Sequence, residues 1–138
     1  MKKSILILMI ITNQGFAQND CTCNIKNLVT VNQHLEDLTT EDIELLLCTF
    51  DDTCKNNSEF SAFSNEVLFE VIGKRPDMLI QEIAKKDDLE LELILSKLES
   101  PIHDGFDLKE IYNKVSAIQD HEKIKEQILN SLEIAMNK

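Results

Sequence analysis

The sequence predicts an all-α protein of about seven short amphipathic helices, and three observations carry that prediction. Apolar residues recur at i, i+3, i+4 and i+7 along nearly the whole chain. Glycine and proline are scarce, three and two in 138 residues, so little interrupts that period. Leu, Ile, Glu and Lys dominate, and most of these favour helix. Connections are short, which predicts antiparallel hairpins packed as an orthogonal bundle or a short α-solenoid. No fixed repeat stands out, and the helix-pair spacing is only loosely HEAT-like.

Each element has its own signal. Ile25, Leu28 and Val29 begin a helix that reaches about Leu35. Thr39 or Thr40 caps the next, with Glu41 and Asp42 in its first turn and Ile43, Leu46, Leu47 and Phe50 on one face. The stretch DDTCKNNS, 51 to 58, is a polar loop. Phe60, Phe63, Val67 and Val71 mark a third helix, with Gly73 placed to close it as a C-cap. Pro76 suits the first turn of a fourth, which carries Leu79, Ile80 and Ile83. Asp87 or Asp88 caps a fifth. Its segment LELELIL, 89 to 95, alternates like a strand, but Leu91, Ile94, Leu95 and Leu98 form a helical stripe, and helix is the reading adopted. ESPIHDGFD is a loop. Asp107 with Glu110 resembles a capping box before Leu108, Ile111, Tyr112 and Val115. A last helix carries Ile124, Ile128, Leu132 and Ala135.

The first residues read as an export leader. Lys2 and Lys3 make a positive start, Ser4 to Ile11 an apolar run, and Gly15 and Ala17 the small residues a signal peptidase accepts. Cleavage is expected after Ala17, leaving residues 18–138 as a single all-α domain in the periplasm or the extracellular medium. The apolar run is eight residues, against roughly 20 for a membrane span, so no span is expected. Asp20 precedes Cys21 where a lipid-modified cysteine needs a small uncharged neighbour, so no lipid anchor is expected either.

That compartment determines how the cysteines are read. Cys21, Cys23, Cys48 and Cys54 are an even set in an oxidising environment, which implies disulfides. A Cys21–Cys23 ring is too short to favour. Two antiparallel helices bring Cys48 back beside Cys23, which favours Cys23–Cys48 with Cys21–Cys54; Cys21–Cys48 with Cys23–Cys54 is the other pairing. The Cys-x-Cys spacing lacks the setting of a Cys-x-x-Cys redox motif and fits no closed zinc site.

The charge balance bears on partners. The chain has 14 Lys and Arg against 25 Asp and Glu, a formal charge of −11, which becomes −13 once Lys2 and Lys3 leave with the leader. Such a surface disfavours nucleic acid and anionic lipid and attracts basic partners.

No catalytic constellation emerges. His34, His103 and His121 lie far apart and read as surface or loop residues. HDGFDLKE, 103 to 110, is too short in oxygen ligands for a calcium loop and reads as a turn followed by a cap. The carboxylate pairs Asp51-Asp52, Asp87-Asp88 and Glu90-Glu92 read as solvated surface. There is no nucleophile elbow and no glycine-rich phosphate loop. No catalytic residue, metal ligand or cofactor is assigned. Among Phe50, Phe60, Phe63 and Phe69, only Phe69 falls off a core stripe; it is either a partner anchor or, as favoured, core packing. The function expected is a non-enzymatic one: an exported acidic protein that holds a basic partner, in its most specific form a periplasmic inhibitor or immunity-type protein. The alternative is an envelope scaffold or adaptor, with an enzyme acting on polysaccharide ranked last.

Overall fold

The computed structural model describes residues 21–138, and the expected leader, with Asp20, lies outside the described residues. Among the described residues there are seven α-helices and one 3-10 turn, with no strand. They are α1 (Ile25–Gln33), α2 (Thr40–Cys48), the 3-10 turn (Asp52–Asn56), α3 (Ser58–Lys74), α4 (Pro76–Ile83), α5 (Asp88–Leu98), α6 (Leu108–Ser116) and α7 (Glu122–Met136).

Local chemistry sets most of the boundaries. Thr39 and Asp42 form a reciprocal capping box at the start of α2, and Asp87 and Glu90 do the same for α5. Asn24, Asn57 and Asp107 each accept one backbone N–H at the starts of α1, α3 and α6. Only half of the box expected at Asp107 forms: its carboxylate accepts the Glu110 N–H at 2.9 Å. Gly73 is not a C-cap. It lies inside α3, no glycine among the described residues has positive φ, and the helix stops at Arg75. Pro76 supplies the reason, because the residue before a proline is pushed out of the helical region; Arg75 has φ −136° and ψ 63°. Phe50 lies beyond the end of α2 yet is buried, and the expected polar loop contains the 3-10 turn, with Asp51 accepting from the Thr53 amide at 2.8 Å.

The packing is that of stacked helix hairpins. α1 packs on α3, α2 on α4, α3 on α5, α4 on α6 and α5 on α7, and α3 also meets α2, α4 and α6. α3 is the central helix, and its Phe60, Val67, Leu68, Phe69, Val71 and Ile72 are all buried. A helix that is apolar on several faces belongs in the middle. That explains Phe69: off the stripe, but fully buried and stacked on Phe106 with ring centroids 5.0 Å apart. Every α-helix contributes to one buried apolar cluster. Full burial of one such side chain contributes ~1.5–3 kcal/mol.

Both disulfides form, with the pairing that the hairpin argument placed second: Cys21–Cys48 and Cys23–Cys54. The local backbone gives the reason. Cys23 has φ 55°, a left-handed turn just before α1, and its N–H donates to the Thr49 carbonyl at 3.0 Å. Cys23 is thereby carried past the end of α2 to the 3-10 turn, where its Cα lies 5.5 Å from that of Cys54. Cys21 is left beside α2, 5.6 Å between Cα atoms from Cys48. The staples tie the start of α1 to the end of α2 and to the 3-10 turn.

Candidate functional site

The alternation in LELELIL has a structural meaning that becomes visible on the helix. α5 carries two stripes. Leu91, Ile94 and Leu98 are buried against the bundle. Leu89, Glu92, Leu93 and Ser96, at i, i+3, i+4 and i+7, face a groove instead. Leu89 is 79% exposed, the most exposed large apolar side chain among the described residues.

The opposite wall of the groove is the segment Phe50-Asp51-Asp52 at the entry to the 3-10 turn. The two walls enclose roughly 540 Å³. The lining combines Phe50, Leu89 and Leu93 with four carboxylates, Asp51, Asp52, Glu90 and Glu92, and no basic residue. Two of the three carboxylate pairs singled out in the sequence, distant along the chain, therefore meet across one groove. In the third, Asp87 caps α5, and Glu90 completes that box by accepting the Asp87 N–H at 3.3 Å.

Two clamps hold the walls in place. The Cys23–Cys54 bond fixes the turn, and Cys54 is buried. On the far side, the buried amide of Asn65 donates to the Lys97 and Ser100 carbonyls at 2.9 and 3.2 Å. Its oxygen accepts the Ile102 N–H at 2.8 Å. One side chain from α3 thus secures the end of α5 and the loop after it. A second recess of about 350 Å³ continues the groove between these clamps, lined by Cys54, Asn65, Lys97 and Ser100 among others.

Hydrogen bonding favours the ionised form of Asp51. The Thr53 hydroxyl and amide hydrogen bonds hold the Asp51 carboxyl below the ordinary aspartate value. A proton donor at neutral pH needs the opposite shift. Lys97 has its ammonium 5.1 Å from the Phe50 ring centroid, and burial lowers its pKa. Its nearest side-chain partner is the Ser64 hydroxyl at 3.5 Å.

The histidines stay apart, as their spacing suggested, but one is more than a surface residue. His34 ends α1, and its Nδ1 lies 2.7 Å from the carboxylate of buried Asp42. Burial works against the Asp42 charge, yet the hydrogen bonds from His34 and Thr39 outweigh it and hold the pKa low. His103 stacks on Phe106 at 4.4 Å and accepts the Gly105 N–H at 3.0 Å, which makes HDGFDLKE a turn with a cap. His121 is exposed before α7. Among the described residues, no group of three or more His, Cys, Asp or Glu side chains is placed to hold a metal ion, and no helix is long and apolar enough to cross a membrane.

Sequence reasoning missed Asn65, the His34–Asp42 pair and the groove. Only the groove left a signal, the Leu-Glu alternation. Compared with known proteins, the chain matches no family, no curated protein and no solved structure.

Proposed function

We propose that this chain is an exported, non-enzymatic protein that holds a basic protein partner, in its most specific form a periplasmic inhibitor or immunity-type protein. One observation carries the proposal. With 14 basic residues to 25 acidic ones, the surface keeps a large uncompensated negative charge whatever ion pairs form. Such a surface speeds encounter with a cationic partner and repels anionic ones. The two disulfides and the lack of a membrane-spanning helix among the described residues are compatible with export. An envelope scaffold or adaptor is the alternative, and stacked helix hairpins would serve it as an extended surface.

The test is a pull-down with purified, oxidised protein as bait against lysate and secreted fractions of its own cells, at low and high salt. The expected outcome is one stoichiometric, salt-sensitive partner of basic isoelectric point. No partner at either salt removes the proposal for proteins expressed under those conditions.

A further inference from the structure

We propose that the groove between the 3-10 turn and α5 is the docking site for a cationic amphipathic segment of the partner. This rests on the partner reading above and adds where and how contact is made. Two features of the groove fit one occupant. Leu89 and Leu93 present an apolar strip outside the core, and Leu89 gains nothing from the fold at 79% exposure. Four carboxylates, Asp51, Asp52, Glu90 and Glu92, edge that strip, with Lys55 pairing Asp52 at 3.2 Å and Lys86 lying 3.7 Å from Glu90 at the rim. The groove keeps an excess of negative charge that a cation offsets. A segment alternating Lys or Arg with Leu-like side chains satisfies both features: its apolar face covers Leu89 and Leu93, and its cations pair with the carboxylates. Nucleic acid and anionic membrane meet the same charges with repulsion.

The walls are positioned before binding. The Cys23–Cys54 staple holds the turn, and Asn65 holds the end of α5. Pre-organisation of this kind lowers the ordering cost of association. Phe50 closes the floor, covered by Lys97.

The experiment titrates the oxidised protein with a short synthetic amphipathic peptide of Lys and Leu, followed by amide chemical shifts at low salt. A companion peptide of equal charge carries Ser for each Leu. Three variants report on place: Asp52→Lys/Glu92→Lys reverses groove charge, Leu89→Ser removes the apolar contact, and Glu44→Lys/Glu126→Lys reverses as much charge at exposed positions that do not line the groove. Asp52 has an 80% exposed side chain and Glu92 is exposed, so these changes leave the fold intact. The expected result is shifts centred on residues 51–52 and 89–93. Affinity should fall about tenfold or more for the groove reversal, for Leu89→Ser and for the Ser peptide, but only a few-fold for the control. Shifts spread over the surface, with equal losses in groove and control variants, would overturn the groove while leaving a charge-driven partner standing. No binding of either peptide at low salt would overturn both.

Discussion

The two loops that flank the groove are held by opposite means. Residues 49–57 are fixed covalently, through Cys54 to Cys23, beside the second bond between Cys21 and Cys48. Residues 99–107 are fixed without a covalent bond, by the Asn65 amide and by the stack of Phe69, Phe106 and His103. The difference follows from what each end of the chain can bury. α1 is nine residues long and buries only Leu28 and Val31, with Ile25 and Val29 left about half exposed. Helices this short are marginal by themselves. α7 is fifteen residues long and buries Ile128, Leu132 and Ala135, against α6 and α5. A disulfide acts largely by restricting the unfolded chain, whereas a buried amide or ring acts on the folded one. One groove wall should therefore respond to reductant and the other to a point substitution.

The largest effect is expected from the staples. Replacing Cys23 and Cys54 by Ala, or Cys21 and Cys48, removes a cross-link over 31 or 27 residues. Either bond alone closes a loop worth ~3–4 kcal/mol; the second adds less, because its ends are already held close. Urea denaturation of both double variants and of the fully reduced protein measures this. Additive losses would show that the two bonds do not share one loop closure.

Leu132→Ala tests the uncross-linked end and should destabilise by ~2–5 kcal/mol, as much as a whole staple. Hydrogen exchange on that variant should show first loss of protection in α6 and α7, and on the reduced protein in α1 and the 3-10 turn. Asn65→Ala takes a partner from the Ser100 carbonyl and the Ile102 N–H, while the Lys97 carbonyl keeps the Ser100 N–H, and should lose ~1–3 kcal/mol. Peptide shifts at residues 89–93 should weaken with it, while those at 51–52 persist.

Asp42 gives a pH-dependent comparison within the stapled end. Its folded pKa lies below the unfolded value, so its contribution is present above an ordinary aspartate pKa of ~3.9 and is lost as pH falls through the folded value. Asp42→Asn should therefore destabilise by ~1–3 kcal/mol at neutral pH, with the gap closing in acid. A gap constant from neutral pH into acid would contradict an ionised Asp42. The smallest effect concerns His121, which with Cys23 is one of the two non-glycine residues of positive φ among the described residues. His121 begins α7 without a side-chain cap bond. His121→Gly should be neutral to stabilising by ~0.5–1 kcal/mol, while Cys23→Gly loses a staple.

The helices were legible because periodicity, caps and Pro76 are local signals. The disulfide pairing was not, because a single left-handed residue, Cys23, decides which cysteine faces which helix. Gly73 misled for a related reason: the helix end was set by its successor Pro76 and not by glycine. Asn65 carries no sequence signal, since its partners lie more than thirty residues away. The groove was half legible. Leu-Glu alternation at 89–93 departs from a single helical stripe, and the departure marks a second, outward face. The acidic residues opposite it, Asp51 and Asp52, became neighbours only through the fold.

The most direct test of the account repeats the pull-down with the wild-type protein and the Asp52→Lys/Glu92→Lys variant side by side, at low and high salt. The account predicts one basic, stoichiometric partner on the wild type, released by salt and absent from the variant. A partner retained equally by both, or insensitive to salt, would contradict it.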